Sequence, residues 1–290
     1  MNSLAKTIQT HAGGNYLAAF DLDHTIIRGD IGDQLFRTLD SQGLLQRLPI
    51  YADCSSGLDE GELLFDYEGE ESAWELYQRA LRQVGTRGAP SLVGDIYAWM
   101  TQSMSGLSVL EVCAATEESW YKNHLTMRAE TLRLMAALLN ASFEVRVVSA
   151  TNIWSVRWIV EQLLNPLLVS MTGKRIRPDL VHGMRVTLSD SVHPDGKPRL
   201  TPCLELPCTT FEGKRATILQ NSAKSLLLAC GDSPNDDALL RSAQYRVIVD
   251  RPEHRSWAQK LRDSTPVLTS FTLGHEQHGD VEGLPNITAH

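Results

Sequence analysis

Three short apolar segments of the sequence each stop at polar residues, and this pattern strongly limits the folds open to the chain. They cover residues 16–20, 145–148 and 226–230. Short apolar runs bounded by polar residues are typical of buried strands. After about residue 128 such segments alternate with helix-like ones, which is the pattern of a parallel sheet flanked by helices. We therefore predict an α/β protein with a Rossmann-like parallel sheet core.

Further elements of this core follow from the spacing of apolar and turn residues. We expect a hairpin around residues 185–196, a helix over 236–243 and a strand over 245–249. The last twenty residues contain several glycines and a proline without regular spacing, so we expect them to form a tail.

The stretch between about residues 32 and 127 has a different character. It lacks β-branched runs, and its apolar residues recur at helical spacing between glycine-containing breaks. Trp74 and Tyr77 share one helical face, and Ser108 followed by Glu111 predicts the capped start of another helix. The sequence thus predicts a helical block that interrupts the α/β core.

Two carboxylates, Asp21 and Asp23, follow the first apolar segment. Because strand side chains alternate between the two faces, both should project to the same side of the strand end. Adjacent like charges are costly unless a cation or a shared proton relieves them. This favours a functional site over an ordinary acidic turn. His24 is expected to point away from the aspartate face and to serve packing.

Polar residues also follow the other two apolar segments. Ser149 ends the second, Asp232 and Asp236 follow the third, and Lys214 lies between the two segments. Ligands of open α/β sheets bind outside the carboxyl ends of the strands. We therefore expect these side chains to meet at one edge of the sheet.

This order of motifs resembles the four-part signature of the haloacid dehalogenase-like hydrolases, most of which are phosphatases. The resemblance covers about residues 16–250. It implies that Asp21 is a nucleophile that forms an aspartyl-phosphate, and that Asp23 is the acid–base group. It also implies that Thr25, Ser149 and Lys214 bind the phosphate.

The same resemblance implies a magnesium site. Mg²⁺ prefers oxygen ligands and usually binds one or two carboxylates together with water and phosphate. Asp21, the backbone carbonyl of Asp23 and the carboxylate of Asp232 would supply the ligands, with Asp236 and Asn235 in supporting positions.

The helical block corresponds to the cap that these hydrolases insert after the first motif. We therefore predict a core formed by residues 1–31 and 128–290 and a helical cap domain formed by residues 32–127.

Candidate specificity residues lie at the start of the cap and within it. Asp30 lies nine residues after Asp21, where phosphoserine phosphatases, which this layout resembles, carry a glutamate that meets the substrate ammonium. Tyr67 and Trp74 lie among acidic residues of the cap. The segment from Tyr97 through residues 106–108 to Trp120 looks like the cap of phosphorylcholine-phosphatase-like proteins. Carboxylates beside aromatic faces bind ammonium groups. Alternatively, these aromatic residues are cap core and the acids form a solvated face.

The predicted function is Mg²⁺-dependent hydrolysis of a small phosphorylated metabolite. The substrate would be an amino-alcohol ester such as phosphocholine, phosphoethanolamine or phosphoserine. Two alternatives stay open: a phosphotransferase that uses the same aspartyl-phosphate, and a non-catalytic binding protein on this scaffold. The physiological ester and the oligomeric state do not follow from the sequence.

Composition narrows the partners and the compartment. The net charge of −8, without a cluster of basic residues, argues against a nucleic-acid partner. No uncharged run approaches the ~20 residues that a membrane-spanning helix needs, and the first residues do not resemble a signal peptide. The five scattered cysteines are expected to be free or buried thiols in a reducing compartment, although Cys203 and Cys208 could pair. We expect a cytoplasmic protein.

Overall fold

A computed structural model describes residues 3–53, 61–87, 92–190, 193–220, 222–263 and 269–273. Its strands are β1 (Tyr16–Phe20), β2 (Ile27–Arg28), β3 (Ile50–Tyr51), β4 (Leu63–Phe65), β5 (Thr126–Met127), β6 (Glu144–Asn152), β7 (Val181–Leu188), β8 (Leu200–Glu205), β9 (Ser225–Gly231), β10 (Tyr245–Val249) and β11 (Thr269–Leu273). Its α-helices are α1 (Ser3–Thr10), α2 (Ile31–Ser41), α3 (Ala73–Arg87), α4 (Val93–Gln102), α5 (Val109–Lys122), α6 (Ala129–Asn140), α7 (Ile153–Ile159), α8 (Asn165–Thr172), α9 (Glu212–Leu219), α10 (Asp237–Ser242) and α11 (Arg255–Asp263).

Within the described residues, seven strands form a central sheet in the order β11-β10-β9-β1-β6-β7-β8. Neighbouring strands are parallel except for β7 and β8, which form an antiparallel hairpin at one edge. The predicted α/β fold, the hairpin and the strand over 245–249 are therefore confirmed. The expected tail is wrong at its start, because residues up to Leu273 pair with β10; residues 274–290 lie outside the described part.

Both faces of this sheet are buried, which explains why its strands are almost continuously apolar. On β1, Ala18 and Phe20 face a cluster formed with α1, α6 and α7. Leu17 and Ala19 face the opposite cluster, formed with α9, α10 and α11. β1 is thereby fixed at the centre of the sheet, and its carboxyl end is held from both sides.

The helical block has an apolar cluster of its own. Residues of α2, α3, α4 and α5 meet around Phe36 and Trp99, and the cluster extends onto Val186 and Leu200 of the β7–β8 hairpin. The predicted start of a capped helix at Ser108 is confirmed, since the side chains of Ser108 and Glu111 form a capping box at the beginning of α5. The block also contains the small hairpin β3–β4, which helical spacing did not predict.

The chain enters and leaves this block at one place. β2 and β5 lie on either side of the block in sequence and pair antiparallel, with Ile27 opposite Met127. This arrangement suits an insertion, and the division into residues 1–31 with 128–290 and residues 32–127 stays a prediction.

One cysteine, Cys208, differs from the expectation of free thiols. Cys208 is in a disulfide bond, whereas Cys113, Cys203 and Cys230 are free. Cys203 and Cys208 do not pair with each other: Cys203 is exposed on β8, while Cys208 is buried beyond the end of that strand. Disulfides persist mainly in oxidising compartments, so this bond does not support the cytoplasmic prediction.

Among the helices in the described ranges, none has both the length and the apolar character that crossing a bilayer requires.

Candidate active site

The predicted polar residues do meet at the carboxyl edge of the sheet. β1 lies between β6 and β9 and is parallel to both, so Asp21, Ser149 and Asp232 emerge side by side. They open into a cavity of about 250 Å³ that α2, α3 and α4 cover from the helical block. One end of the cavity lies at the sheet and is rich in charged groups of both signs. The other end lies under the helices and is acidic.

Lys214 is the cation at the centre of the sheet end. It is buried, and its Nζ donates to Oδ1 of Asp21 and to Oδ1 of Asp236, each at 2.6 Å. Burial alone would lower the pKa of Lys214, but the two carboxylates raise it above its ordinary value. Lys214 is therefore a fixed positive charge beside Asp21.

The turn before Lys214 needs a glycine. A Cβ on Gly213 would lie 1.7 Å from the backbone carbonyl oxygen of Cys208, which no side chain permits. The Asn235 side chain supports the same turn, because its Oδ1 accepts from the backbone N–H of Phe211 at 2.8 Å. Asn235 thus has a visible structural role next to the site, as well as lining the cavity.

Asp21 is buried, and burial raises its pKa well above the ordinary aspartate value, with Lys214 opposing this shift. One carboxylate oxygen from each of Asp21, Asp232 and Asp236 lies within 4.8 Å of the others. Burial and the nearby Asp236 carboxylate also raise the pKa of Asp232, to about 7. This much negative charge in a buried place is stable only with protons or a cation.

Asp236 is held by hydrogen bonds from its own turn. Its Oδ2 accepts from the backbone N–H of Asp232 at 3.0 Å and from that of Ser233 at 3.3 Å. Because its Oδ1 already binds Lys214, Asp236 is positioned to orient the other groups. Three clustered carboxylates form an all-oxygen donor set of the kind that Mg²⁺ uses.

Asp23 occupies a separate position, outside this trio. Its Oδ1 accepts from the backbone N–H of Ile31 at 2.8 Å. Its Oδ2 accepts from Oγ of Ser149 at 3.0 Å and from Oγ1 of Thr151 at 2.8 Å. Burial raises its pKa despite these hydrogen bonds. The Asp23 side chain is therefore not one of the clustered carboxylates, and the ligand role of its backbone carbonyl stays a prediction.

The structure places Thr25 differently from the expectation. Its buried hydroxyl donates to Oδ1 of Asp232 at 3.3 Å, and Thr25 is not among the residues that line the cavity. Ser149 does line it. Of the three predicted phosphate donors, Ser149 and Lys214 therefore face the cavity, whereas Thr25 supports Asp232 from behind.

His24 is among the residues that line the cavity, and the expected direction of its side chain stays a prediction. Its backbone φ of +57° puts it in the left-handed region, which breaks the alternation of strand side chains. The guanidinium of Arg128 donates to the His24 carbonyl at 3.1 Å and helps to hold this turn.

The acidic end of the cavity begins at the first turn of α2. Asp30 caps this helix, and its Oδ1 accepts from the backbone N–H of Asp33 at 2.8 Å. Oδ1 of Asp33 accepts from the Tyr77 hydroxyl at 2.5 Å. Burial, reinforced by Asp33 and Asp23, raises the pKa of Asp30 well above its ordinary value. Tyr97 also lines this end.

The other two predicted specificity residues lie elsewhere. Neither Tyr67 nor Trp74 lines the cavity. The Arg47 guanidinium lies 4.2 Å from the centre of the Tyr67 ring, and that of Arg37 lies 5.9 Å from the Trp74 ring. Both aromatic faces therefore bind arginines of the protein itself, and their assignment to a substrate cation is corrected.

Sequence reasoning gave no role at the site to several residues that line the cavity, among them Asp33, Tyr77, Tyr97 and Arg251. Asp33, Tyr77 and Tyr97 come from three helices. Of these, only Asp33 had a signal in the sequence, which is its position one helical turn after Asp30. Arg251 follows β10, and its Nη1 donates to Oδ2 of Asp232 at 2.6 Å. No motif marked this arginine.

Comparison with solved structures shows that the fold is known. A conserved protein of unknown function from Anaerococcus prevotii aligns at a TM-score of 0.60 and 15% identity, over 93% of this chain and 90% of that one. A protein of unknown function from Bordetella pertussis aligns at 0.52 and 18% identity, over 88% of this chain and 97% of that one. A substrate-bound phosphoserine phosphatase aligns at 0.48 and 15% identity, over 83% and 90%.

No protein-family model and no curated protein sequence matches the chain. The two stronger alignments are to proteins without a known activity, so they show the fold alone. The chemistry must be inferred from the residues of the site.

Proposed function

We propose that this chain is a haloacid dehalogenase-like hydrolase that cleaves small phosphate monoesters through an aspartyl-phosphate. The arrangement of Asp21, Lys214 and Asp236 carries the proposal. Phosphate-monoester hydrolysis is among the slowest uncatalysed reactions, and an enzyme must supply a nucleophile, positive charge and a proton for the leaving oxygen. The cavity has a residue for each of these tasks.

Asp21 would be the nucleophile. Lys214 binds its Oδ1 at 2.6 Å, which fixes the rotation of the carboxylate and leaves Oδ2 to attack phosphorus. The same ammonium group would attract the phosphoryl oxygens, and the hydroxyl of Ser149, which donates to Asp23 in this structure, would turn to donate to them. Asp21, Lys214 and Ser149 all line one cavity.

Asp23 would transfer the proton. Its raised pKa favours a protonated carboxyl group that can donate to the leaving alcohol oxygen, and the resulting carboxylate can then take a proton from the water that hydrolyses the aspartyl-phosphate. Hydrogen bonds from Ser149, Thr151 and the Ile31 N–H hold its carboxyl plane in a fixed direction.

The donor set of Asp21, Asp232 and Asp236 fits Mg²⁺, because all its atoms are carboxylate oxygens in a buried cluster. When bound, a magnesium ion would neutralise charge on the phosphoryl oxygens. Asp21 and Asp232 are the proposed ligands, and Asp236, which holds Lys214 and the Asp232 turn, would orient them.

The acidic end of the cavity supports an ester of an amino alcohol. Asp30, Asp33, Tyr77 and Tyr97 line this end of the cavity, where the Tyr77 hydroxyl donates to Asp33. Aromatic faces and carboxylates together bind ammonium and quaternary ammonium groups. Phosphocholine, phosphoethanolamine and phosphoserine therefore remain the proposed substrates, with these two tyrosines in place of Tyr67 and Trp74.

A phosphate-release screen across phosphorylated metabolites tests the proposal, with Mg²⁺ and EDTA arms. The wild-type protein is compared with Asp21→Asn and with Asp237→Asn; Asp237 pairs with Arg241 on α10. We expect Mg²⁺-dependent release by the wild type and by Asp237→Asn, and none by Asp21→Asn. Release that survives in Asp21→Asn would exclude the proposed nucleophile. Phosphate appearing on an added alcohol would identify a phosphotransferase instead.

A further inference from the structure

Arg251 lines the cavity beside the carboxylate trio, and the proposed chemistry gives it no role. It lies after β10, at the sheet end of the cavity, with its side chain 16% exposed. Its Nη1 donates to Oδ2 of Asp232 at 2.6 Å. Its Nε donates to Glu253 at 2.8 Å, which anchors the guanidinium from the solvent side.

The two oxygens of Asp232 are therefore in different situations. Oδ2 accepts a short, charge-assisted hydrogen bond, which is among the strong ones in proteins. Within the described residues, Oδ1 accepts from the neutral hydroxyl of Thr25, at 3.3 Å. A metal ion can bind Oδ1 without meeting a cation, whereas chelation by both oxygens of Asp232 would bring it against the Arg251 guanidinium at Oδ2.

This asymmetry matters because the two common hard cations use carboxylates differently. Ca²⁺ takes 6–8 oxygen ligands at ~2.3–2.6 Å and readily binds both oxygens of one carboxylate. Mg²⁺ demands near-octahedral geometry at ~2.0–2.1 Å and fills its remaining positions with water. A carboxylate with one oxygen blocked thus still suits Mg²⁺ and suits Ca²⁺ less well.

We propose that Arg251 is a positioning residue that restricts Asp232 to a single metal-facing oxygen and thereby favours Mg²⁺ over Ca²⁺. The inference rests on the proposed function, because it requires that the trio of Asp21, Asp232 and Asp236 binds a divalent cation. It assigns the choice between the cations to a residue outside the ligand set.

The positive charge of Arg251 has a separate effect that the test must remove. A guanidinium next to the site repels Mg²⁺ and Ca²⁺ alike, because both carry the same charge. Loss of that charge should strengthen the binding of both ions by a similar factor. The ratio of the two dissociation constants cancels this common factor and isolates the blocked oxygen.

The experiment measures Mg²⁺ and Ca²⁺ affinities by isothermal titration calorimetry of the whole chain, without substrate. Wild type is compared with Arg251→Met, Arg251→Lys and the charge-matched control Arg241→Met; Arg241 pairs with Asp237 on α10. In Arg251→Met we expect the ratio of Ca²⁺ to Mg²⁺ dissociation constants to fall by about tenfold, equivalent to ~1.4 kcal/mol. Arg251→Lys should restore part of the wild-type ratio, and Arg241→Met should leave it unchanged.

Three results would overturn the inference. Equal strengthening of both ions in Arg251→Met would show a charge effect alone, and equal weakening would show that Arg251 only holds Asp232 in place. If Arg251→Met fails to fold, Arg251→Ala, which also frees Oδ2 of Asp232, takes its place, and an unchanged ratio in that variant would have the same meaning. A wild-type protein that binds neither ion would overturn the proposed metal site itself, whereas binding with an unchanged ratio would leave that site intact.

Discussion

Replacing Asp30 with asparagine removes one charge from the acidic end of the cavity and little else. Asparagine caps a helix about as well as aspartate, and its side-chain oxygen can still accept from the Asp33 N–H, now 2.8 Å from the Asp30 carboxylate. An alanine here would also cost the cap, about 0.5–2 kcal/mol of stability. Asp30→Asn thus separates recognition of the substrate from folding of α2.

The expected effect follows from the contact that is lost. A hydrogen bond or ion contact to a charged group contributes ~1.5–3 kcal/mol, and each 1.4 kcal/mol is about tenfold. For phosphoethanolamine, kcat/KM should therefore fall by roughly tenfold to 150-fold. For p-nitrophenyl phosphate, which carries no cation, it should change less than about twofold.

Steady-state phosphate release on both substrates measures this, with Asp40→Asn as the matched control. Asp40 lies on the same helix, and its Oδ1 accepts from the Ala73 N–H at 3.0 Å, away from the cavity lining. Its substitution should affect neither substrate. An equal loss on both substrates in Asp30→Asn, or no loss on either, would refute the cation-binding role of the acidic end.

The pH dependence of substrate preference tests the role of Asp30 in a second way. Burial raises the pKa of Asp30 well above its ordinary value, with Asp33 and Asp23 adding to the shift. Only the ionised carboxylate attracts an ammonium group, so the preference for the cationic ester should be present above this raised pKa and lost as the pH falls through it. The ratio of kcat/KM for the two substrates shows this and cancels titrations, such as that of Asp23, that affect both.

Three further predictions concern the sheet end of the cavity. Asp21→Asn should abolish turnover with an unchanged thermal unfolding temperature, and a fluoroberyllate adduct trapped on another residue in the wild type would contradict the assignment. EDTA should abolish turnover, Mg²⁺ should restore it and Ca²⁺ should inhibit it, because looser coordination misplaces the nucleophile; full activity in chelator would exclude the metal. Lys214→Met should cost ~3–5 kcal/mol in urea unfolding, because it leaves Asp21 and Asp236 as buried carboxylates without their cation, and the loss should be smaller at low pH, where Asp21, whose pKa burial raises, is protonated.

Much of the fold could be predicted from local pattern. The apolar runs and their polar ends indicate strands, and a parallel sheet necessarily gathers its carboxyl ends at one edge. Asp21, Ser149 and Asp232 could therefore be placed together before any coordinates existed. The helix after Gly213 was harder to foresee, because its position depends on close contact with the Cys208 carbonyl.

The rest of the site depends on contacts between distant segments. Tyr77 and Tyr97 reach the cavity only because α3 and α4 pack over the sheet, and the sequence shows merely that each lies on a helix. Tyr67 lies among acidic residues, which is typical of a cation site, but the guanidinium of Arg47 lies over its ring. His24 has a left-handed backbone conformation, which the apolar pattern of β1 does not indicate.

One helical turn, residues 30–33, links two tasks of the proposed enzyme. The Ile31 N–H holds Asp23, while Asp30 and Asp33 on either side face the far end of the cavity. A substitution that reshapes this turn for a new substrate therefore also disturbs the proton donor. Tyr77 donates to Asp33 and is therefore tied to this turn, whereas Tyr97 lines the cavity from another helix, α4. Divergence towards other esters, in nature or in directed evolution, should accordingly proceed through Tyr97 while the turn stays unchanged.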